Sequence, residues 1–192
     1  MTRSEPNPSP RRQELLEAAY AYALRSGLGE LSLRPLAEEI ESSPRVLLYL
    51  FGSKDGLIRA LLARARADEL ARVQQLADAQ HGPDGLRAVA RELWRWLADE
   101  AHRGLLTLWV ESYARSLVDP DGPWAGFARD TVGDWLALLA AAQPAGVRDT
   151  EAALAQRTLV LAVLRGALLD LLATGDTART TAAVHRHLDG CA

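Results

Sequence analysis

The 192-residue sequence predicts an all-α protein, and three observations carry that expectation. Leu and Ala each occur 34 times, whereas Val occurs 10 times and Ile twice. The cationic residues are 21 Arg and one Lys. Leu, Ala and Arg lose little rotamer freedom in a helix, while the β-branched residues that suit a pleated sheet are scarce. Finally, apolar residues recur at three- and four-residue spacing between Gly and Pro breaks. With 48% apolar residues the chain has the material for a substantial core.

Taken in order, residues 1–10 hold three prolines among polar neighbours and are expected to form a flexible arm. A first helix starts near Arg11, carries Leu16, Ala19, Tyr20, Ala23 and Leu24, and stops at Gly27-Leu28-Gly29. Ser32 is placed as the N-cap of a second helix, Leu33 to Ile40, with Pro35 inside its first turn. Only Glu41, Ser42 and Ser43 separate it from a third helix, which opens with Ser43 as cap and Pro44 at the first helical position. After Phe51-Gly52, Ser53 caps a long fourth helix running to about Gln80 before Gly82-Pro83. Leu86, Val89, Leu93 and Leu97 mark a fifth helix with Gly104 near its end. Leu106, Trp109, Tyr113 and Leu117 mark a sixth, and Trp124, Phe127, Thr131, Trp135 and Leu138 a seventh. Leu154 to Leu171 form an eighth, and a ninth follows Thr174-Gly175-Asp176 and ends near Leu188. The architecture is therefore nine helices, with no uninterrupted apolar run long enough to cross a bilayer and no signal-peptide core, so the expectation is a cytoplasmic protein without a membrane partner. The single cysteine, Cys191, cannot pair internally.

Function is concentrated where two short helices meet across a three-residue turn. That spacing makes the helices cross steeply and presents the second one outward, as a helix-turn-helix does. Although the net charge is −3, residues 42–66 carry Arg45, Lys54, Arg59, Arg64 and Arg66 against Asp55 alone. On the third helix Pro44, Arg45, Leu48 and Tyr49 are expected outside, with Val46, Leu47 and Leu50 inside. Arg45 suits a guanine edge, the Tyr49 hydroxyl a phosphate, and Lys54 a second phosphate from the start of the fourth helix. Ser32, Arg34 and Ser43 complete the candidate DNA contacts.

Three stretches between Arg11 and Arg66 resemble the TetR (tetracycline-repressor-like) family of transcriptional regulators: Leu15-Leu16-Glu17-Ala18-Ala19-Tyr20, the run Ser32 to Ile40, and the run Ser43 to Leu57. The resemblance implies an N-terminal three-helix DNA-binding domain (11–52), a helical regulatory domain (53–192), a homodimer formed through the last two helices, and a small-molecule effector that releases the protein from its operator. Two departures stand out. Glu41 occupies the turn position where the family usually has Gly, costing about 1 kcal/mol if that position needs a positive φ. The recognition helix reads Leu48-Tyr49-Leu50 where a Tyr-His pair is common.

All five tryptophans fall between residues 94 and 135. Trp94, Trp109, Trp124 and Trp135, with Tyr113, Phe127 and Glu111, are the candidate ligand-binding set, and Thr107 and Arg115 are candidates to orient a ligand; as individuals such aromatics equally serve a helical core. Leu161, Leu164, Leu168, Leu171 and Leu172 cover more than one side of the eighth helix and are the candidate dimer seam, helped by small Gly166 and Ala167. The alternatives are a metal-dependent helical enzyme or a protein-interaction adaptor. Asp78 with His81 and Asp99 with His102 have metal-pair spacing, but each pair is expected at a helix end where the dipole favours a histidine. No nucleophile with a base and no phosphate loop is found, so neither a catalytic residue nor a cofactor is expected.

Overall fold

The computed structural model describes the backbone of residues 9–26, 31–78 and 85–190, and their side chains except at 68–70 and 72–78. The expected arm over 1–8, the Gly27-Leu28-Gly29 break, Gln80, His81, Gly82-Pro83 and Cys191 lie outside the described residues. Within them the chain forms nine α-helices and no strand: α1 (Pro10–Ser26), α2 (Leu33–Glu39), α3 (Pro44–Phe51), α4 (Lys54–Asp78), α5 (Gly85–Leu97), α6 (Arg103–Val118), α7 (Phe127–Ala141), α8 (Glu151–Thr174) and α9 (Thr177–Gly190). A single 3-10 turn, Glu100–His102, precedes α6.

The first three helices close over Leu15, Ala19, Tyr20, Leu36, Leu47 and Phe51, and Leu57, Ile58 and Leu61 of α4 complete that core. Further along, α4 packs on α5, α6 and α7, so the two halves share it as a common wall. Leu93 and Trp94 of α5, Leu108 of α6, Leu139 of α7, Leu164 and Leu168 of α8 and Val184 of α9 fill the larger core. Helix α9 folds back on α8 after the left-handed Gly175 (φ 69°), and the Arg179 guanidinium donates to both Asp170 oxygens at 2.7 and 2.6 Å.

Several element ends differ from expectation for local reasons. Pro10 begins α1 instead of belonging to the arm, because Ser9 Oγ accepts from Arg12 N (3.2 Å) and proline at the first position loses no needed donor. Helix α5 stops at Leu97, where the Asp99 side chain accepts from Ala101 N and starts the 3-10 turn. Gly104 therefore lies in the first turn of α6. A Cβ there would stand 2.6 Å from the Leu24 carbonyl oxygen, so glycine lets the start of α6 touch the end of α1. Trp124 sits in the turn before α7, which begins only after the left-handed Gly126 (φ 78°). By length and composition α8 is apolar enough to cross a membrane, although charged residues interrupt its apolar run. One side of it packs on α5, α6, α7 and α9, and it carries Arg157, Arg165 and Asp170.

The turn between α2 and α3 is a Schellman closure. Ser42 N donates to the Ala37 carbonyl (2.8 Å) and Glu41 N to the Glu38 carbonyl (3.3 Å), which drives Glu41 to φ 51°. Glu41 is the one non-glycine residue at positive φ among the described residues. Glu41→Gly is thus expected to stabilise the fold by about 1 kcal/mol, read as a higher urea midpoint at unchanged slope.

Candidate DNA interface and ligand pocket

Helix α3 buries Leu47 and Phe51 and turns its opposite side to solvent. Tyr49 is 86% exposed, Leu48 is exposed beside it, and Arg45 stands one turn earlier on the same side. Val46, expected inside, is exposed as well, and Pro44 is half-buried. With only two residues of eight needed as anchors, a short helix can give most of its circumference to a partner. Ser43 caps as expected, its Oγ accepting from Val46 N at 3.3 Å. Ser32 has the extended backbone of a cap residue, but its side chain makes no cap hydrogen bond and is exposed near Arg34 at the start of α2.

The step from α3 to α4 explains the motif Phe51-Gly52-Ser53-Lys54-Asp55-Gly56. Gly52 takes φ 80°, Ser53 Oγ accepts from Gly56 N (2.9 Å), and a Cβ on Gly56 would fall 2.0 Å from the Phe51 carbonyl oxygen. That packing fixes Lys54, exposed at the first position of α4, directly after α3. Arg34, Arg45 and Lys54 form no salt bridge with another described residue. The basic cluster read from the sequence divides in two. Arg64 pairs with Glu17 (2.8 Å) on α1, and Arg66 pairs with Asp134 (2.6 Å) and Asp130 (3.3 Å) on α7, leaving Arg45, Lys54 and Arg59 facing outward. The Asp134 hydrogen bond holds the Arg66 pKa above its ordinary value.

Sequence reasoning missed Arg12. Its Nε donates to the Leu50 carbonyl (3.3 Å) and its guanidinium lies 4.8 Å from the Phe51 ring centroid, so α1 secures the end of α3. Nothing local marks this role, because the partner lies 38 residues away.

In the larger half Trp109 is central. It is buried, tilted against Tyr113 at 5.2 Å, and covered by the Arg165 guanidinium, 5.3 Å from its ring centroid. Two small voids flank it, each with room for about one water molecule. Leu97, Leu106, Trp135, Leu164, Arg165 and Leu168 enclose one with Trp109. Trp96, Leu105, Leu106, Phe127 and Ala65 enclose the other with it. Trp109 thus shares one void with Trp135 and the other with Phe127. Trp94 is turned away, donating Nε1 to Thr181 Oγ1 (3.0 Å) on α9. Trp124 lies under Arg115, 5.0 Å from its ring, and Arg115 Nε donates to Glu111 at 3.2 Å. Thr107 is exposed. Trp96 and Arg165 were not among the candidates, since neither spacing nor composition shows which side of α5 or α8 faces the void. The widest cleft, about 460 Å³, lies at the opposite end between Leu86, Pro144, Val147, Gln156 and Leu188 and contains none of the expected aromatic residues.

Leu161, Leu164, Leu168 and Leu171 are buried within the protomer and Leu172 is half-buried, so the expected dimer seam is an inner face. The outer face of α8 carries Leu154, Leu159, Ala162, Gly166 and Leu169, and the two leucines nearest its middle are each 51% exposed. His102, half of an expected metal-spaced pair, instead stacks on Trp96 (4.5 Å) with Nδ1 2.9 Å from the Trp96 carbonyl oxygen.

Comparison with solved structures decides the fold. A Rhodococcus transcriptional regulator matches with a TM-score of 0.73 and 22% identity over 93% of this chain and 94% of its own. A TetR-family transcriptional regulator, also from Rhodococcus, matches with a TM-score of 0.71 and 19% identity over 94% and 98%. The chain has the TetR-family fold. The multidrug binding protein EbrR, solved with imidazole, shares this TetR-like arrangement at a TM-score of 0.68 and 28% identity over 97% and 96%. No protein-family model and no curated protein matches the sequence.

In this TetR-like frame Arg66 joins α4 to α7 through a half-buried pair. A double-mutant cycle with Arg66→Ala and Asp134→Ala is expected to give a coupling energy of about 1 kcal/mol in denaturation, above the usual value for an exposed pair.

Proposed function

We propose that the chain is a ligand-responsive, sequence-specific DNA-binding transcriptional regulator, a cytoplasmic repressor released from a pseudo-palindromic operator by a small apolar or aromatic molecule. The observation that carries this reading is the presentation of α3: a Ser43-Pro44 cap, two buried anchors, and Arg45, Leu48 and Tyr49 outward beside Lys54. A helix presented in this way fits the major groove, where its amino-terminal residues meet base edges. Residues 11–52 form the DNA-binding part and 53–192 the regulatory part, with Lys54 contributing to the first from the start of the second.

A pseudo-palindrome requires two copies. The outer faces of α8 and α9 suit the pairing, because Leu159, Ala162, Gly166 and Leu169 are exposed and a Cβ on Gly166 would meet nothing within 4 Å. Small residues there allow two helices to approach closely. The effector is assigned to the region around Trp109, where apolar and aromatic walls enclose two small voids with Arg165 at the edge of one.

Gel-shift titration on DNA from upstream of the protein's own gene tests the reading, and no saturable binding at low salt would reject it. Arg45→Ala is expected to cost about 1–3 kcal/mol and to relax sequence preference. Lys54→Ala should weaken all sequences alike and lower the salt slope by about 1. The opposite pattern would reverse the two assignments. Leu159→Asp combined with Leu169→Asp is expected to sediment as a monomer and to bind the operator far more weakly, while circular dichroism keeps its helical signature.

A further inference from the structure

The groups around the two voids beside Trp109 share one chemical character. Trp109 Nε1 is buried and has no acceptor among the described residues, and the same holds for Trp96 Nε1 across the second void. Arg165 bounds the first void with its guanidinium over Trp109 and, at 5.2 Å, over Tyr113. The remaining lining is Leu, Ala, Phe and Trp, so no carboxylate, amide or hydroxyl side chain faces either space. Buried N–H groups favour whatever brings an acceptor to them. The ring faces that attract cations are already taken, since Arg165 covers both Trp109 and Tyr113.

We propose that the effector is a small aromatic molecule bearing an acceptor oxygen, a carboxylate above all, held by the indole N–H groups of Trp96 and Trp109 and by the Arg165 guanidinium. This rests on the reading of the Trp109 region as the effector site, and it adds that lipophilic cations are rejected. Trp109 and Leu106 line both voids, so a displacement of the Trp109 ring would open them towards one another. Trp135 and Phe127 then supply flat apolar walls for the ring of the ligand. Glu111, which accepts from Arg115, lies on the same helix but lines neither void.

The test uses the full-length protein and three probes built on one ring: benzoate, toluene and benzylammonium. Intrinsic tryptophan fluorescence should report saturable binding of benzoate at least about tenfold tighter than toluene, and none of benzylammonium. Trp96→Phe and Arg165→Gln should each remove most of that preference, with circular dichroism confirming the fold; two variants on different helices guard against either one failing to fold. Equal or tighter binding of toluene or benzylammonium overturns the proposal. So does an absence of benzoate binding by the folded protein, the result expected if a single buried water serves both indoles. Operator binding without any probe is measured separately. Loss of benzoate preference with intact operator binding sinks this proposal alone, and failure to bind DNA while the preference stands sinks the regulatory reading alone.

Discussion

Helix α4 is held on two sides by neighbouring arginines, and the rest of the structure depends on that arrangement. Arg64 reaches back to Glu17 on α1 while Arg66 reaches forward to Asp134 and Asp130 on α7. Two residues apart on a helix, they point to different sides, which is what allows one helix to serve both halves of the molecule. The apolar residues Leu57, Ile58, Leu61 and Leu62 give α4 its cohesion with the core. The ion pairs fix its rotation, because a turn about its axis would break both sets at once. Lys54, at its amino terminus, therefore has its position set jointly by α3 and by the body of the protein.

How much of this was legible in the sequence depended on range. Ser43 as a cap, Pro44 after it and the inward Leu47 are decided by neighbours a few residues away, and local chemistry was enough to find them, whereas the strain at Glu41 was flagged by its departure from the glycine usual in the TetR family. Arg12 over Phe51 and Arg64 on Glu17 join residues 39 and 47 apart, and no spacing rule points to them. The eighth helix failed for a different reason. It is apolar on nearly every side, so its pattern could not separate leucines facing the protomer core from those facing outward, and the inner set was chosen. The tryptophans cluster along the sequence, but whether an indole lines a void or ties two helices, as Trp94 does to Thr181, depends on rotation about axes that a single sequence does not reveal.

The two halves of the molecule use polar chemistry in opposite ways. Around α3, Ser43 and Ser53 cap backbone donors, and Arg45, Lys54 and Arg59 face solvent. Beside Trp109, indole donors are withdrawn from water into apolar surroundings without acceptors, which a fold built only for stability would avoid. That contrast sets an exposed basic surface apart from a buried apolar region that holds indole donors without acceptors among the described residues.

Gly104 gives the meeting of these halves a mechanical character. Most helix contacts are cushioned by side chains whose rotamers take up small displacements. Where α6 begins, backbone touches backbone at the Leu24 carbonyl, and nothing between them can yield. The contact leaves little room for the first turn of α6, the helix that carries Trp109, to shift towards the end of α1. A residue without a side chain is what allows the two helix ends to meet there.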